Sequence, residues 1–508
     1  MAKEQKIPQY QGNPLIEALP PIYSRDEAAE LLTYNPTFDL EAARKMPSHL
    51  RLHLIQLAAS FVEPVPNLLE LEQRFSRMIR VGYVGRNPSV PGYWPQLRRE
   101  VAQLAPRPLL APLSHAATRG FTVVGWSGVG KSTGIEQVLG LYPQVIEHGR
   151  YHRRPFTHRQ LVWLKLECPQ DGLLSGLCKT FFKVVDSLLG TPYFANYVGN
   201  GRRQVDQLVI DMADVAARHS IGVLVVDEIQ NLKEAKGEGA AHMLNFLTQL
   251  DNMLGIPVVL IGTPSALPIL TGEFRRARRA AGQGDLVWER MEKDGIWDVF
   301  LKALWDYQFL RVYSPLTADL YDTMYEESQG IADITVKLYL LAQIRAIMGA
   351  DPEKEGQDEV ITPDLIRTVS RKSLAFVQRF LKAIRENDQD ELKKIGDLAR
   401  IDLATLAKEV TDQVEDEKKD TRTSATEPVG VQDRQPTPEP QHNGTPPFSG
   451  PSGQQPVEHD RQPAQEARTN TPKRTLMELG RQARQENINA YEVMRVAGRI
   501  RRAAERRP

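Results

Sequence analysis

Between residues 121 and 312, short apolar runs alternate with amphipathic stretches of helical length. The apolar runs are FTVVG (121–125), LVWLKLEC (161–168), IGVLVVDE (221–228), PVVLIGT (257–263) and YQFLRV (307–312). Near-continuous runs of Val, Ile and Leu that are separated by helices are typical of a parallel sheet covered on both faces. The pattern therefore predicts an α/β sandwich with a parallel sheet, and residues 51–312 are its expected extent, including a helical extension at the start.

The hydrophobic pattern changes after this core. Residues 316–385 contain no strand-like run. The segments DITVKLYLLAQIRAIM (333–348) and TPDLIRTVSRKSLAFVQRFLKAI (362–384) instead have helical periodicity. We therefore predict a small all-helical domain with its following helices over residues 313–411.

Both ends of the chain lack the alternation of the core. Residues 1–50 are mixed and punctuated by prolines, so we predict an extended docking segment there. Composition changes near residue 412, and residues 431–469 are rich in Pro, Gln, Gly, Thr and Ser, which predicts a disordered linker over 412–470. Residues 471–508 regain helix formers among arginines, which favours a helical partner-docking tail, with a weakly helical terminus as the alternative.

Composition sets broad limits on the class of protein. A chain of 508 residues is longer than one core usually organises, so we expect at least two domains. The 64 Lys and Arg residues balance 64 Asp and Glu residues, so any basic surface must be local. Cys168 and Cys178 lack CxxC spacing and are expected to be reduced, buried thiols. The sequence contains no apolar run of the ~18–20 residues that a membrane span needs, and its polar start lacks a signal peptide, so we expect a cytoplasmic protein without a membrane partner.

A glycine-rich segment follows the first apolar run. Residues 125–132, GWSGVGKS, match GxxxxGK[ST] in full, with a predicted strand before them and a predicted helix after them. Glycines let successive N–H groups point at a phosphate, and the following helix adds its positive N-terminus. Lys131 is expected to reach the β- and γ-phosphates and Ser132 to bind Mg²⁺. The nucleotide-contacting residues are expected to be Gly125, Trp126, Ser127, Gly128, Val129, Gly130, Lys131, Ser132 and Thr133.

Two acidic residues end another apolar run. In IGVLVVDEIQNL (221–232), Asp227 is expected to hold Mg²⁺ and Glu228 to act as general base on the attacking water. Kinases and GTPases usually lack this pair, so the pair favours an ATPase that hydrolyses ATP. The alternative is that two acids simply end a buried strand.

Further polar residues follow the next predicted strand. Thr263 ends PVVLIGT and is a candidate to contact both the γ-phosphate and the attacking water. Downstream, TGEFRRARRAAG (271–282) contains four arginines. An arginine from here is a candidate to stabilise transition-state charge on a neighbouring subunit's nucleotide, and we choose Arg276 and Arg279. Phosphate binding to nucleic acid and a solvated face remain alternatives.

Two other basic segments lie in the long interval between Lys131 and Asp227. They contain Arg150, Arg153, Arg154 and Arg159, and Arg202 and Arg203. Phosphate binding needs Lys or Arg on one surface, and the sequence contains no zinc finger, RRM or clear helix-turn-helix. We therefore predict nonspecific, electrostatic binding of double-stranded DNA, with solvated basic loops as the alternative.

Together, the phosphate loop, the acidic pair and the helical region resemble an AAA+ ATPase with a P-loop NTPase core and a helical lid. This resemblance implies ATP and Mg²⁺ as cofactors. SQGIADITVKLYLLAQIRA (328–346) resembles the lid helix that carries the sensor 2 residue, and Lys337 stands as the candidate there.

A closer resemblance is to TnsC, the ATP-dependent target regulator of heteromeric bacterial transposons, including CRISPR-associated ones. It covers residues from about 10 to 350. It rests on NPLIEALPP (13–21), MIRVGYVGRNP (78–88), YPQVI (142–146), LVVDEIQNL (224–232), MLNF (243–246), IGTP (261–264), RRARRAAG (275–282) and SQGIADITVKL (328–338).

The TnsC resemblance implies a function and partners. Such proteins assemble on double-stranded DNA as homo-oligomeric rings or filaments when loaded with ATP, and hydrolysis resets the complex. They bridge a TnsD/TniQ-type target selector, here expected at the N-terminal region, to the TnsA/TnsB transposase, here expected at the C-terminal tail. The resemblance also implies that Val81, Tyr83 and Val84 line the adenine pocket.

Two other classes share the nucleotide-binding motifs. An initiator- or clamp-loader-like replication ATPase has the same core and lid, and an origin-binding member of that class carries a winged-helix domain after the lid. A STAND-type signalling NTPase continues into repeats, and no repeat period is visible in this sequence.

Overall fold

The structure is a computed structural model and describes residues 7–33, 38–102, 120–199, 204–270, 284–354, 356–388, 390–392 and 403–424. Its centre is a five-stranded parallel sheet formed by β1 (Phe121–Val124), β4 (Trp163–Glu167), β5 (Val223–Asp227), β6 (Val258–Gly262) and β7 (Leu286–Val287), in the order β4-β5-β6-β1-β7. A separate antiparallel hairpin pairs β2 (Val145–Tyr151) with β3 (Arg154–Leu161). The prediction of an α/β fold with a parallel sheet is confirmed.

Helices cover both faces of this sheet. The helices of the core and of the segment before it are α1 (Pro14–Glu17), α2 (Arg25–Leu32), α3 (Leu40–Lys45), α4 (Ser48–Leu57), α5 (Pro66–Val84), α6 (Tyr93–Ala102), α7 (Lys131–Gly140), α8 (Leu174–Leu189), α9 (Tyr193–Tyr197), α10 (Val205–Arg218), α11 (Gly239–Leu254) and α12 (Leu267–Ile269). Successive residues of a strand point to opposite faces, so Val223 and Val225 pack with α1, α2, α5 and α7, whereas Leu224 and Val226 pack with α6, α8, α10 and α11. This double burial explains why β1, β5 and β6, which are buried along their whole length, are nearly continuously apolar in sequence.

The predicted strand at 307–312 is wrong. These residues form no strand, and Tyr307, Phe309 and Leu310 are buried in the core of the helical domain. The Phe309 N–H donates to Gln343 Oε1 at 2.8 Å, so a side chain rather than a sheet satisfies this backbone group. The fifth strand is instead β7, which has two residues and is too short to leave a hydrophobic pattern.

The N-terminal segment is helical and packs on the core, so the expectation of an extended segment is wrong. Leu15, Ile16 and Leu32 are buried against α5 and α7. Asn13 caps α1 and donates from Nδ2 to the Tyr83 carbonyl at 2.7 Å. Pro14 begins α1, since proline is well tolerated in the first helical turn, whereas Pro20 and Pro21 lie in the connection between α1 and α2.

The all-helical domain after the sheet is confirmed. It contains α13 (Gly295–Trp305), α14 (Ala318–Ser328), α15 (Ala332–Gly349), α16 (Pro363–Ser373), α17 (Ala375–Arg385) and α18 (Leu403–Ser424). Residues of α4 also join its core. There Arg51, 1 % exposed, donates two hydrogen bonds of 2.6 Å to the carboxylate of Glu359.

Helix α18 corrects the predicted start of the linker. Residues 412–424 are helical, and Glu417 pairs with Arg345 and Lys372, each at 2.6 Å. Residues 425–470 of the predicted linker and the predicted tail, 471–508, lie outside the described residues.

The two cysteines are reduced and buried, as expected. Cys168 and Cys178 are buried and free, and burial raises the pKa of each thiol to about 12. None of the helices within the described ranges is long and apolar enough to cross a membrane.

Candidate nucleotide-binding site

A cavity of ≈ 990 Å³ lies where the phosphate loop, the carboxyl ends of the strands and the helical domain meet. Ligands of open α/β sheets bind at this edge. The expected site residues that line the cavity are Ser127, Gly128, Val129, Gly130, Lys131, Ser132, Thr133, Asp227, Glu228, Thr263 and Lys337. Residues far apart in the sequence are thus brought to one place.

The phosphate loop connects β1 to α7. Gly128 and Gly130 have φ values of 82° and 105°, a left-handed backbone that glycine adopts without strain. Lys131 Nζ donates to the carbonyls of Gly125 and Trp126 at 2.7 and 2.8 Å, so the ammonium lies along the loop. Those two residues do not line the cavity; they hold Lys131 through their backbone, and the Trp126 ring faces the helical domain.

The chemistry of the donor atoms fits Mg²⁺. Ser132 Oγ donates to Asp227 Oδ2 at 2.9 Å, which brings a hydroxyl from α7 to a carboxylate at the end of β5. Mg²⁺ prefers oxygen ligands and is usually held by one or two carboxylates together with substrate phosphates. The described residues contain no group of three or more His, Cys, Asp or Glu that could hold a metal alone. The pair Ser132 and Asp227 therefore suits a metal that arrives with a nucleotide.

Glu228 is held from two directions. It has a left-handed backbone, φ 57°, and its N–H donates to Asp227 Oδ1 at 2.8 Å. Its Oε2 accepts a short hydrogen bond from Gln230 Nε2. Gln230 Oε1 in turn accepts from the Thr263 N–H at 3.2 Å, and Thr263 Oγ1 lies 3.0 Å from Ser265 Oγ. Gln230 thus joins the expected general base to the expected γ-phosphate contact.

Gln230 is a site residue that no motif in the sequence predicts. The segment DEIQ places it three residues after Asp227, at the turn that leaves β5. Only the structure brings this turn beside the end of β6.

The helical domain contacts the phosphate loop directly. The Asp333 N–H donates to the Gly128 carbonyl at 2.9 Å, and Lys337 Nζ pairs with Asp333 Oδ2 at 2.6 Å. The rings of Trp126 and Phe380 meet edge to face with centroids 5.4 Å apart. A change in the conformation of the phosphate loop would therefore alter contacts with α15 and α17 directly.

Arg290 is a second cavity-lining residue that no motif in the sequence predicts. Its Nη1 donates to the Gln329 carbonyl at 2.9 Å and lies 3.3 Å from the Tyr325 hydroxyl. It follows the strand β7, which has only two residues and leaves no hydrophobic pattern in the sequence. For this reason the sequence does not indicate that Arg290 lies at the end of a strand.

The expectation for Val81, Tyr83 and Val84 is wrong, because none of them lines the cavity. Tyr83 is fully buried on one face of the sheet, and its hydroxyl donates to the Ser220 carbonyl at 2.8 Å. Helix α5 meets the cavity at its N-terminal end, through Leu68. At 1.5 Å per residue, Tyr83 lies about 22 Å along the helix from Leu68. The apolar wall that could hold a base comprises Phe61, Val62, Val65, Pro66 and Leu68.

The candidate DNA-binding arginines are only partly described. Arg150, Arg153 and Arg154, which we call the basic tip, are exposed at the end of the β2–β3 hairpin, whose turn is formed by His152 and Arg153 with φ of 44° and 65°. They do not line the cavity. Arg202, Arg203, Arg276 and Arg279 lie outside the described residues.

Comparison with known proteins agrees with the geometry. Residues 116–270 match the family model described as an AAA domain. With the phosphate loop, the acidic pair and the parallel sheet, this match defines the class: the chain contains an AAA-type P-loop ATPase domain, for which ATP and Mg²⁺ are the typical cofactors. No curated protein matches the sequence.

Several solved structures resemble the chain at low sequence identity. One is the Orc1 protein of Aeropyrum pernix in complex with DNA, at 14 % identity, TM-score 0.31, covering 64 % of this chain and 84 % of that one. Another is Cdc6p from Pyrobaculum aerophilum, at 14 % identity, TM-score 0.33, covering 66 % and 89 %. A third is the Walker-type ATPase PABY2304 of Pyrococcus abyssi, at 13 % identity, TM-score 0.33, covering 62 % and 87 %.

Proposed function

We propose that this protein is an ATP-dependent regulator of transposition of the TnsC type, which assembles on duplex DNA when ATP is bound and disassembles after hydrolysis. One observation carries the ATP-dependent part: Lys131, Ser132, Asp227, Glu228 and Thr263 line one cavity that the helical domain also contacts. The resemblance of segments between residues 13 and 338 supports the role in transposition.

In this proposal each side chain has a defined task. Lys131 and the loop N–H groups bind the β- and γ-phosphates, and Ser132 and Asp227 hold Mg²⁺, which neutralises phosphate charge when bound. Glu228 accepts a proton from the attacking water, and Thr263 orients that water at the γ-phosphate. Lys337 stands opposite the loop as the lid's cation.

The basic tip supplies the proposed DNA contact. Its three guanidinium groups are exposed on a hairpin that stands outside the main sheet. Contacts of arginine to phosphates are independent of base sequence and weaken with salt. Arg202 and Arg203 are proposed as further DNA contacts, and Arg276 and Arg279 as candidates for the arginine that acts on a neighbouring subunit's nucleotide.

The proposed protein partners occupy the two ends of the chain. Ile22 and Leu31 are 53 % and 51 % exposed on the N-terminal segment, so this segment offers apolar surface to a TnsD/TniQ-type selector even though its other side packs on the core. Residues 471–508 are the proposed docking tail for the TnsA/TnsB transposase. Deleting them is expected to spare ATP hydrolysis and to abolish capture of the transposase in a pull-down.

The test is assembly on DNA, observed by electron microscopy and sedimentation with duplex DNA and a slowly hydrolysed ATP analogue. We expect homo-oligomeric rings or filaments that require the nucleotide, and none with Lys131→Ala, whose loop lacks the cation for the phosphates. Wild-type protein that stays monomeric and off DNA with every nucleotide would refute the proposal.

A second candidate is an initiator- or clamp-loader-like replication ATPase, because an AAA domain followed by a helical domain equally suits that class. In the described residues after Val287 all regular elements are helical, so this part of the chain holds no β-wing of a winged helix. Binding competition with unrelated duplexes separates an initiator from the transposition regulator. An initiator prefers its origin sequence, whereas the transposition regulator binds all duplexes alike.

A further inference from the structure

A lysine ammonium lies beside the carboxylate that is proposed to hold Mg²⁺. Lys165 is the central residue of β4, and its side chain is 17 % exposed. Its Nζ lies 3.3 Å from Asp227 Oδ2 and 2.5 Å from Glu136 Oε1 on α7. Ser132 Oγ donates to the same Asp227 Oδ2. One carboxylate oxygen therefore meets both the hydroxyl that suits Mg²⁺ and a positive charge.

The surroundings make this charge effective. The Asp227 side chain is 3 % exposed, so water screens its neighbours weakly, whereas the Glu136 side chain is 61 % exposed at the rim of the cavity. A cation that shares a buried carboxylate with a metal opposes binding of that metal. The Glu136 carboxylate pairs with the same ammonium and so reduces the repulsion between Lys165 and a metal at Asp227.

We propose that Lys165 is a positioning residue that makes Mg²⁺ binding depend on the nucleotide. In the absence of metal its ammonium lies between Glu136 and Asp227 and offsets the charge of Asp227. When nucleotide phosphates bring Mg²⁺ to Ser132 and Asp227, the ammonium stays with Glu136 alone. The inference rests on the proposed nucleotide site and adds a control on it: Mg²⁺ binds together with the nucleotide rather than before it.

The test measures how free Mg²⁺ changes the affinity of a fluorescent ADP analogue, which excludes hydrolysis from the readout. We expect Lys165→Met to lower the half-effective Mg²⁺ concentration about tenfold, since one unit charge beside the metal is removed. Glu136→Gln is expected to raise it about threefold, because Lys165 then turns fully to Asp227. In the double variant the Glu136→Gln effect disappears, which shows that Glu136 acts through Lys165.

Two controls frame the experiment. Lys179→Met removes an exposed lysine of α8 and is expected to behave as wild type. Lys165→Arg keeps the charge and the wild-type Mg²⁺ response, and thermal melting verifies that each variant is folded.

Three outcomes overturn the inference. The first is an unchanged Mg²⁺ response in a folded Lys165→Met variant. The second is a large loss of metal-free ADP affinity in that variant, which would place the ammonium on phosphate. The third is a Glu136→Gln effect that persists in the double variant. Wild-type protein that binds no ADP analogue at any Mg²⁺ concentration would instead refute the nucleotide site itself, so the two failures are distinguishable.

Discussion

Gln230→Ala tests whether one amide positions the general base. Gln230 is 9 % exposed, donates to the carboxylate of Glu228 and accepts from the Thr263 N–H. Truncation to alanine removes both hydrogen bonds, and it leaves the direct Glu228 N–H to Asp227 contact in place. The carboxylate then loses the group that fixes its direction toward the γ-phosphate.

The size of the effect follows from the kind of hydrogen bond. A buried hydrogen bond to a charged group contributes about 1.5–3 kcal/mol. If this energy serves to orient Glu228 in the transition state, kcat falls about 10- to 150-fold at ~1.4 kcal/mol per tenfold. Nucleotide affinity is expected to stay within about threefold of wild type, because the hydrogen bonds of Gln230 go to Glu228 and Thr263 and not to the phosphate loop.

The assay is steady-state ATP hydrolysis with a parallel binding titration of a fluorescent ATP analogue. Gln160→Ala is the matched control, since Gln160 is also a buried amide and hydrogen-bonds to His148 and to the Leu15 carbonyl, outside the cavity. We expect it to lower the melting temperature without changing kcat. A Gln230→Ala variant with wild-type kcat would refute the proposed role of Gln230. Equal losses of kcat in Gln230→Ala and Gln160→Ala would show that general destabilisation causes the loss.

Three further predictions use other parts of the molecule. Glu228→Gln is expected to bind ATP normally, to lower hydrolysis at least about 100-fold and to trap assemblies on DNA; near-normal turnover would place the base elsewhere. Arg51→Ala removes the ion-pair partner of the buried Glu359 carboxylate, so the free energy of unfolding in urea should fall by about 3–5 kcal/mol. Arg218→Ala breaks an exposed ion pair and should lower it by less than about 1 kcal/mol. Equal losses in the two variants would contradict this prediction. Replacing the three arginines of the basic tip by alanine should reduce the slope of log K against log salt by about 3 if all three contact phosphates, and an unchanged slope would move the DNA contact elsewhere.

Local chemistry explains what the sequence alone could predict. The phosphate loop and the acidic pair are contiguous motifs, so their residues could be assigned before their positions were known. Strands buried on both faces leave apolar runs, which is why β1, β5 and β6 were predicted. In β4 the buried residues Leu164 and Leu166 alternate with half-buried ones, and this also reads as a strand. The run at 307–312 has the same composition but packs between helices, since hydrophobicity without periodicity does not distinguish a strand from a buried helical-domain segment.

Residues that act across elements could not be predicted. Gln230 and Lys165 gain their roles from neighbours on adjacent strands and on α7, and no spacing in the sequence records these contacts. The misplaced adenine pocket has a related cause: the direction in which α5 crosses the sheet decides which of its ends meets the cavity. The N-terminal helices were missed because they are short and begin at prolines or at capping residues such as Ser24.

The ion pair between Arg51 and Glu359 has a consequence for biosynthesis. Its partners are 308 residues apart in the chain. At roughly 5–20 residues per second, a ribosome needs roughly 15–60 s to add the residues between them. During that interval the emerging chain exposes the guanidinium and the apolar side of α4 without their partners, so a chaperone has that time to bind this segment.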